Sequence, residues 1–590
     1  MQHKAPSLVL RVRTDSASQP AIFVRRESTR RRLRLTGRSR ASTVGLLALF
    51  VLLGCFLLGQ AVAVEPPRSA SDQLDEVGEW LRQGHRLEVN NHWDEALAHY
   101  EKAIRAFPNE RSLKRRFDFT RMHFDVCRRL GDPSFRMSIE KLSLEQALDL
   151  YEEVLTRIQT HYVGTPHWGE MVEQGVDNFE VALSESVFVQ TNLPRCLPEQ
   201  INVCRRALRR ELGQQLIRNR TDARAAVEGM ARLAERQLGI SPVAVVLEFA
   251  CGATNSLDIY SAYLTPDQLH EVYSQIEGNF VGLGIELRTQ DNQLTILRVI
   301  PHSPAEYAGI RTDDRILAID GKNIESMSTD KAANLLQGKA GTTLELLVAA
   351  PGEAPRAVRA ERRRVEVPSI DEIKIVDTVR GVGYLRLSCF QKSTSRDLSD
   401  ALWQLHRQGM RGGLIVDLRS NPGGLLSAAV EAVDKFVENG TIVSTRGRDI
   451  REGFTYSAHA AGTWRVPLVV LIDHDSASAA EIFAGAIRDH RRGVVIGQRS
   501  YGKGSVQGIF PLHSHSSGIR LTTAKFYSPK GHPFSLVGVE PDIVARTADR
   551  PTGERVSASR EDASLAAAID QFARPSLSRP SAPSQARLQR

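Results

Sequence analysis

Two residues 25 positions apart, Ser478 and Lys503, combine a hydroxyl with an amine that can serve as its base. A serine hydroxyl is a weak nucleophile until a neighbouring base takes its proton, and lysine fills that role when burial or nearby charge lowers its pKa. Such a pair performs acyl transfer as a variant of triad logic. Ser478 falls between the apolar run PLVVLID and a helical pattern, so its side chain projects from a tight connection where a helix N-terminus favours developing negative charge. Ala477, Ala479 and Ala480 leave room for a substrate backbone, and Gly423-Gly424 after LIVDLR can expose backbone N–H groups.

Each of these residues also has a plainer use. Ser478 with Glu481 three residues on forms a capping box, Lys503 alone is a solvated charge, and Gln507 alone is a surface amide. Gly497 to Lys503 reads GxxxxGK, but Gly504 stands where a P-loop needs a Ser/Thr hydroxyl, and the residues beyond it pattern as a strand rather than a helix. A Ser-His-Asp arrangement could draw on His474, His490, His513, His515 or His532, yet no GxSxG elbow is present to set up the nucleophile.

The elements that must position these residues alternate strand and helix from Glu366 to about Val544: GVGYLRL, DLSDALWQLHRQ, GGLIVDLR, LLSAAVEAVDKFV, PLVVLID, AAEIFAGAIRDH, GVVIGQ. That alternation implies an α/β core whose strands feed functional loops. From Phe280 come short β-type runs, NFVGLGIELR, LTILRVI, DRILAIDG and TTLELLVAA, with one helix-like stretch from Thr329 to Leu336. Helical patterns run from Ser112 to about Tyr273, while residues 548–590, rich in Ser, Arg, Pro and Ala, read as a disordered tail. A chain of 590 residues exceeds one core and calls for several domains.

The charge is uneven. Residues 1–40 hold ten arginines and Lys4 against Asp15 and Glu27, so the net +8 is concentrated there and the remainder is close to neutral, which excludes a nucleic-acid footprint spread over the folded part. Directly after this block, Thr43 to Val64 is an uncharged run of 22 residues, enough helix to cross a bilayer core of about 30 Å. Basic residues on its N-terminal flank orient the rest of the chain outside the cytoplasm. Cleavage after Ala61-Val62-Ala63 is the competing reading, and Thr29-Arg30-Arg31-Arg32-Leu33 loosely matches a twin-arginine signal. Six cysteines at 55, 127, 196, 204, 251 and 389 lack zinc-ligand spacing, so no metal site is expected; Cys196 and Cys204 are the closest pair for a disulfide, with buried thiols the alternative.

Three resemblances extend this reading. VGLGI followed by SPAEYAGIRTDDRILAIDGKNI resembles a PDZ domain, in which the backbone N–H groups of Gly282, Leu283, Gly284 and Ile285 form a nest for a peptide's terminal carboxylate. Trp80, Gly84, Ala96, Tyr100, Ala103 and Pro108 fit one tetratricopeptide-like repeat, 77–110. LIVDLRSNPGGLL, LIDHDSASAAEIFAGAIRDH and GQRSYGKGSVQ, downstream of the PDZ pattern, resemble the C-terminal processing peptidases, a Ser/Lys protease family; LYEEVLTRIQTHYVG and SLDIYSAYLTPDQLHEV are similar to that family's helical lead-in.

The family resemblance implies Ser478 as nucleophile, Lys503 as base, Gln507 as the residue orienting the lysine, Asp489 as a supporting acid, and Gly423 with Ala479 as the oxyanion hole. The fold expected is a multi-domain α/β protein: a basic segment 1–42, a transmembrane anchor 43–64, an all-α region 74–273, a PDZ domain 278–352, and an α/β, crotonase/ClpP-like peptidase core 366–547. The function expected is a serine endopeptidase without cofactor, anchored in a membrane with its bulk extracytoplasmic (periplasmic in a bacterium). It would cleave near the free, apolar C-termini of exported proteins. An adaptor on the helical region and an oligomer are compatible partners, and nucleic acid is not. The alternative from a different class is a catalytically silent PDZ/repeat scaffold at the membrane.

Overall fold

Residues 70–290, 293–324, 335–336, 338–448, 453–545 and 562–573 are described by the computed structural model. The basic segment 1–42, the apolar span 43–64, most of the stretch from Thr329 to Leu336 and most of 548–590 lie outside them. Among the described residues, no helix is long and apolar enough to cross a membrane. The chain divides into two compact units at Asp118/Phe119.

In the first unit, helices Ala70–Val89 and Trp93–Ala106 form a hairpin. A Cβ on Gly84 would lie 2.2 Å from the Tyr100 ring, so only glycine admits that aromatic there. Ala96, Tyr100 and Ala103 are fully buried between the two helices.

The second unit begins with helices that surround Pro242–Asn255, a segment apolar around its circumference except at Glu248, which pairs with Arg129, and buried along nearly its whole length. It approaches the helix Trp168–Ala182 at two glycines: a Cβ on Gly252 would lie 2.5 Å from the Gly175 Cα. The PDZ region follows as a sheet of order 285–290, 293–299, 315–319, 343–349, 356–361, and a ribbon pairing Asn279–Gly282 with Arg363–Glu366 closes its neck. The expected boundary at 352 is therefore short. Strand Arg356–Glu361 alternates the exposed Ala357 and Arg359 with the buried Val358 and Ala360, and its two arginines, one on each face, mask the strand signal.

The peptidase region centres on a sheet of order 370–377, 382–387, 413–417, 468–472, 494–497, 543–544, parallel except for its first pair. Alternate residues face opposite sides. Leu414, Val416, Leu468, Val470 and Ile472 pack with helices Thr394–Arg407, Leu426–Asp434 and Ala479–Asp489. Ile415, Val469 and Leu471 face helix Ala563–Gln571. That helix corrects the expectation of a wholly disordered tail: nine residues, ASLAAAIDQ, are too few to alter the composition of a Ser/Arg/Pro-rich stretch, yet they bury Ala568 on the sheet. A second sheet pairs 518–527 with 441–447, 505–511 and the short strand Ala262–Leu264. Residues that precede the PDZ are thus woven into the peptidase region, with Ala262 opposite Arg520.

Candidate active site

Ser478 occupies the turn between strand Leu468–Ile472 and helix Ala479–Asp489, with φ 56° and ψ −113°. A non-glycine residue in this region is strained and stays there only when its surroundings hold it. Here they do. Asp473 accepts N–H bonds from Ser420, Asp475 and Ser476; the Ser476 hydroxyl donates to Leu418 O at 2.8 Å; and Ala477 N–H donates to Asn421 O at 2.9 Å. The loops after strands 413–417 and 468–472 are thereby fixed to each other.

Glu481, which the sequence marks only as half of a capping box, is the hub of the arrangement. Its side chain is fully buried, and its Oε2 accepts the backbone N–H of both Ser478 (2.7 Å) and Lys503 (2.9 Å). Oε1 accepts Gly502 N–H at 2.7 Å and the Ser500 hydroxyl at 2.6 Å. Burial pushes this carboxyl up, against the pull of its four donors. The Glu481 N–H is satisfied by Ser478 O at 2.9 Å, and the Ser478 hydroxyl makes no capping bond, so the serine side chain is not consumed as an N-cap.

The Lys503 amine is desolvated although the residue keeps some exposure. Burial first, and the Arg520 guanidinium second, push it down to about 8, against Glu481 and Asp258. Its Nζ stands 5.0 Å over the ring of Tyr260, and no hydrogen bond joins it to Ser478 Oγ. Gln507 lies on the strand beyond, donating to Ser505 Oγ at 2.9 Å and Thr522 Oγ1 at 3.5 Å rather than to the lysine. That strand, Ser505–Pro511, is the element a P-loop would have as a helix. Asp489 sits at the opposite end of the helix that follows Ser478, accepting from the Ser528 hydroxyl (2.6 Å) and Lys530 N–H (3.1 Å), so it anchors the 528–532 turn.

Gly423 lies against Ser478. A Cβ there would meet Ala477 O at 2.7 Å, Ala479 N at 2.8 Å and the Ser478 Cβ at 2.8 Å, and its φ is +98°. Its N–H donates to Asn421 Oδ1 at 2.8 Å, while the Ala479 N–H forms no hydrogen bond among the described residues. Of the histidines, His490 Nε2 contacts Thr441 O at 2.7 Å, His474 is exposed beside Asp475, and none of the five bonds to Ser478. In the PDZ region, Leu283 O accepts Ala305 N–H and Gly284 O accepts Ile300 N–H, and the Leu283 and Gly284 N–H groups have no backbone partner among the described residues. Cys196 and Cys204 are free thiols, not joined to each other.

Glu481, Asn421 and Tyr260 are the residues that sequence reasoning missed in their present roles. Glu481 was visible only as a cap, Asn421 sits inside the SNPGG motif, and nothing local marks Tyr260.

Residues 381–545 match the model for peptidase family S41, and residues 295–349 match a PDZ domain. A carboxy-terminal-processing protease of Bartonella bacilliformis is 38% identical over 299 residues, 50% of this chain and 68% of that protein. One from Picosynechococcus sp. is 35% identical over 320 residues, 53% of this chain and 75% of its own. The solved photosystem II D1 C-terminal processing protease aligns with 69% of this chain and 95% of its own, at 25% identity and a TM-score of 0.36. These relatives give no support to a silent scaffold. With an S41 unit, a PDZ domain and such identity over two thirds of a processing protease, the chain belongs to the carboxyl-terminal-processing proteases and is a serine peptidase of family S41.

Proposed function

We propose that Ser478 is the nucleophile of this peptidase and Lys503 its general base. The observation that carries the assignment is the shared Glu481 Oε2, which accepts the backbone N–H of both residues and so fixes the nucleophile turn and the base loop to one atom. Neutral Lys503 takes the Ser478 proton as Oγ bonds to the scissile carbonyl carbon; the C–N bond then breaks and the ammonium returns the proton to the departing amine. Water adds to the acyl-serine with Lys503 again as base, freeing the new C-terminus. Ala479 N–H is the open donor to the oxyanion, and Gly423 N–H joins it by exchanging its bond to Asn421.

The finer assignments belong to the same reading. The PDZ takes the free carboxylate of an apolar C-terminal segment on Leu283 and Gly284 N–H, and the 43–64 span holds the enzyme at a membrane with exported proteins as substrates. Gln507 orients Lys503 through the 505–511 strand, and Asp489 supports the site by anchoring the 528–532 turn.

The test uses the full-length chain on an unfolded protein and on two peptides that differ only in a free or amidated C-terminus. Turnover should vanish in Ser478→Ala and in Lys503→Ala, and the amidated peptide should be the poorer substrate. Persistent cleavage by either variant would remove its residue from the assignment, and equal cleavage of the two peptides would remove carboxylate capture.

A further inference from the structure

The base is served by a segment that precedes the PDZ domain. Tyr260 lies in the turn leading to strand Ala262–Leu264, more than 240 residues before Lys503 in the chain, yet its ring is the aromatic face over Nζ at 5.0 Å. That turn is tightly fixed. Asp258 Oδ1 accepts Tyr260 N–H and Ser261 N–H, each at 2.8 Å, and Ser261 Oγ accepts Thr522 N–H at 3.3 Å. Tyr260 O accepts the Arg520 Nε–H at 2.8 Å, and Ala262 pairs in register with Arg520. Arg520 therefore holds the backbone of the very residue whose ring covers the lysine, and it does so from the strand that also carries Thr522, the partner of Gln507.

We propose that Tyr260 and Arg520 are positioning residues for the base: the Tyr260 ring closes the amine of Lys503 off from water, and the Arg520 guanidinium locks that ring in place while setting a positive charge beside the amine. The proposal rests on Lys503 being the base.

Three charged groups act electrostatically on the lysine, from three different elements: Arg520 on strand Gly518–Tyr527, Glu481 on the helix after Ser478, and Asp258 in the turn before strand Ala262–Leu264. Only Arg520 acts with burial against the ammonium; the two carboxylates act for it. Burial and neighbouring Arg128 push Arg520 itself down to about 10, against Asp125 and Asp258, so it stays cationic at neutral pH and its repulsion persists where the enzyme works. The tyrosine face attracts an ammonium weakly, which opposes its shielding of the amine. Burial lowers an amine's pKa by up to about 3–5 units, more than the weak attraction of a ring raises it, so shielding is the larger effect. The sign is then fixed: removing either group raises the pH at which the base becomes neutral.

The measurement is the pH profile of kcat/KM for the full-length protein, from about pH 6 to 10, with melting temperature recorded for each variant. Arg520→Gln and Tyr260→Ala should each move the acid limb upward by about one pH unit, a roughly tenfold loss at pH 7 that recovers on the high-pH plateau. Arg520→Lys and Tyr260→Phe should keep the parent limb within about 0.3 unit, because charge or ring is preserved. Should Arg520→Gln fail to fold, the Tyr260 pair gives the same reading. Losses uniform across the whole pH range, with an unmoved limb, would overturn the proposal, and so would a downward shift in Tyr260→Ala. A Lys503→Ala control that remains active would instead overturn the base assignment itself, so the two failures are distinguishable.

Discussion

Glu481→Gln keeps the shape at the centre of the site while removing a charge and one acceptor oxygen. In the parent, the two oxygens accept four donors: Ser500 Oγ at 2.6 Å and Gly502 N at 2.7 Å on one, Ser478 N at 2.7 Å and Lys503 N at 2.9 Å on the other. A glutamine amide has one carbonyl oxygen, and its NH2 must face two donors whichever way it is turned. At about 1.5–3 kcal/mol for each charge-assisted bond, losing two costs about 3–6 kcal/mol. That corresponds to roughly 10²- to 10⁴-fold in the equilibrium that keeps the base loop against the nucleophile turn. A domain stable by about 5–15 kcal/mol keeps its sheets, so the effect concentrates in the 498–504 loop. The assay is kcat/KM on a cleavable peptide beside the melting temperature. We expect kcat to fall at least about 10²-fold and melting to drop by several degrees with circular dichroism otherwise unchanged. A variant within threefold of the parent in kcat/KM would refute the view of Glu481 as the clamp.

Gly423→Ala places a Cβ 2.7 Å from Ala477 O at a φ of +98°, so kcat should fall by about 10² or more while KM changes little; parent-like kcat in steady-state kinetics would count against Gly423 as part of the oxyanion wall. Because burial and Arg520 push Lys503 down to about 8, and only the neutral amine accepts a proton, kcat/KM should climb tenfold per pH unit up to about 8 and level above it; a profile flat between pH 6 and 9 would exclude Lys503 as the base. Arg356→Ala leaves the Asp314 carboxylate, fully buried and bonded to that guanidinium at 2.6 and 3.1 Å, without its charge partner, at a cost of about 3–5 kcal/mol. Calorimetry should then show the PDZ region melting early, and cleavage of C-terminal peptides should weaken more than that of short substrates too small to span both sites; a single unshifted transition would speak against it.

What could be read in the sequence was local and repetitive. The α/β alternation, the strand-to-helix turn at Ser478 and the glycines at 423 and 424 are short-range patterns, because period-2 apolar runs and tight turns are written in consecutive residues. The edges of that reading failed where charge or composition masks a pattern. Arg356 on the inner face and Arg359 on the outer hid strand Arg356–Glu361, and an average over about forty residues hid helix Ala563–Gln571.

The contacts that tune the chemistry were invisible for a different reason. Glu481 carries the i+3 spacing of a cap, and the same spacing serves a carboxylate that also reaches forward to Ser500, Gly502 and Lys503. Tyr260 bears no motif at all, and its relation to Lys503 exists only because Ala262–Leu264 pairs with 518–527 across the intervening PDZ. Long-range strand pairing is set by the burial of whole faces, not by the identity of one residue. It follows that the helical lead-in cannot be treated as an appendage to the catalytic region: deleting residues through 270 removes a strand of the peptidase's own sheet and the ring above its base, so inactivity of such a chain would say nothing about an adaptor or inhibitor in the helices.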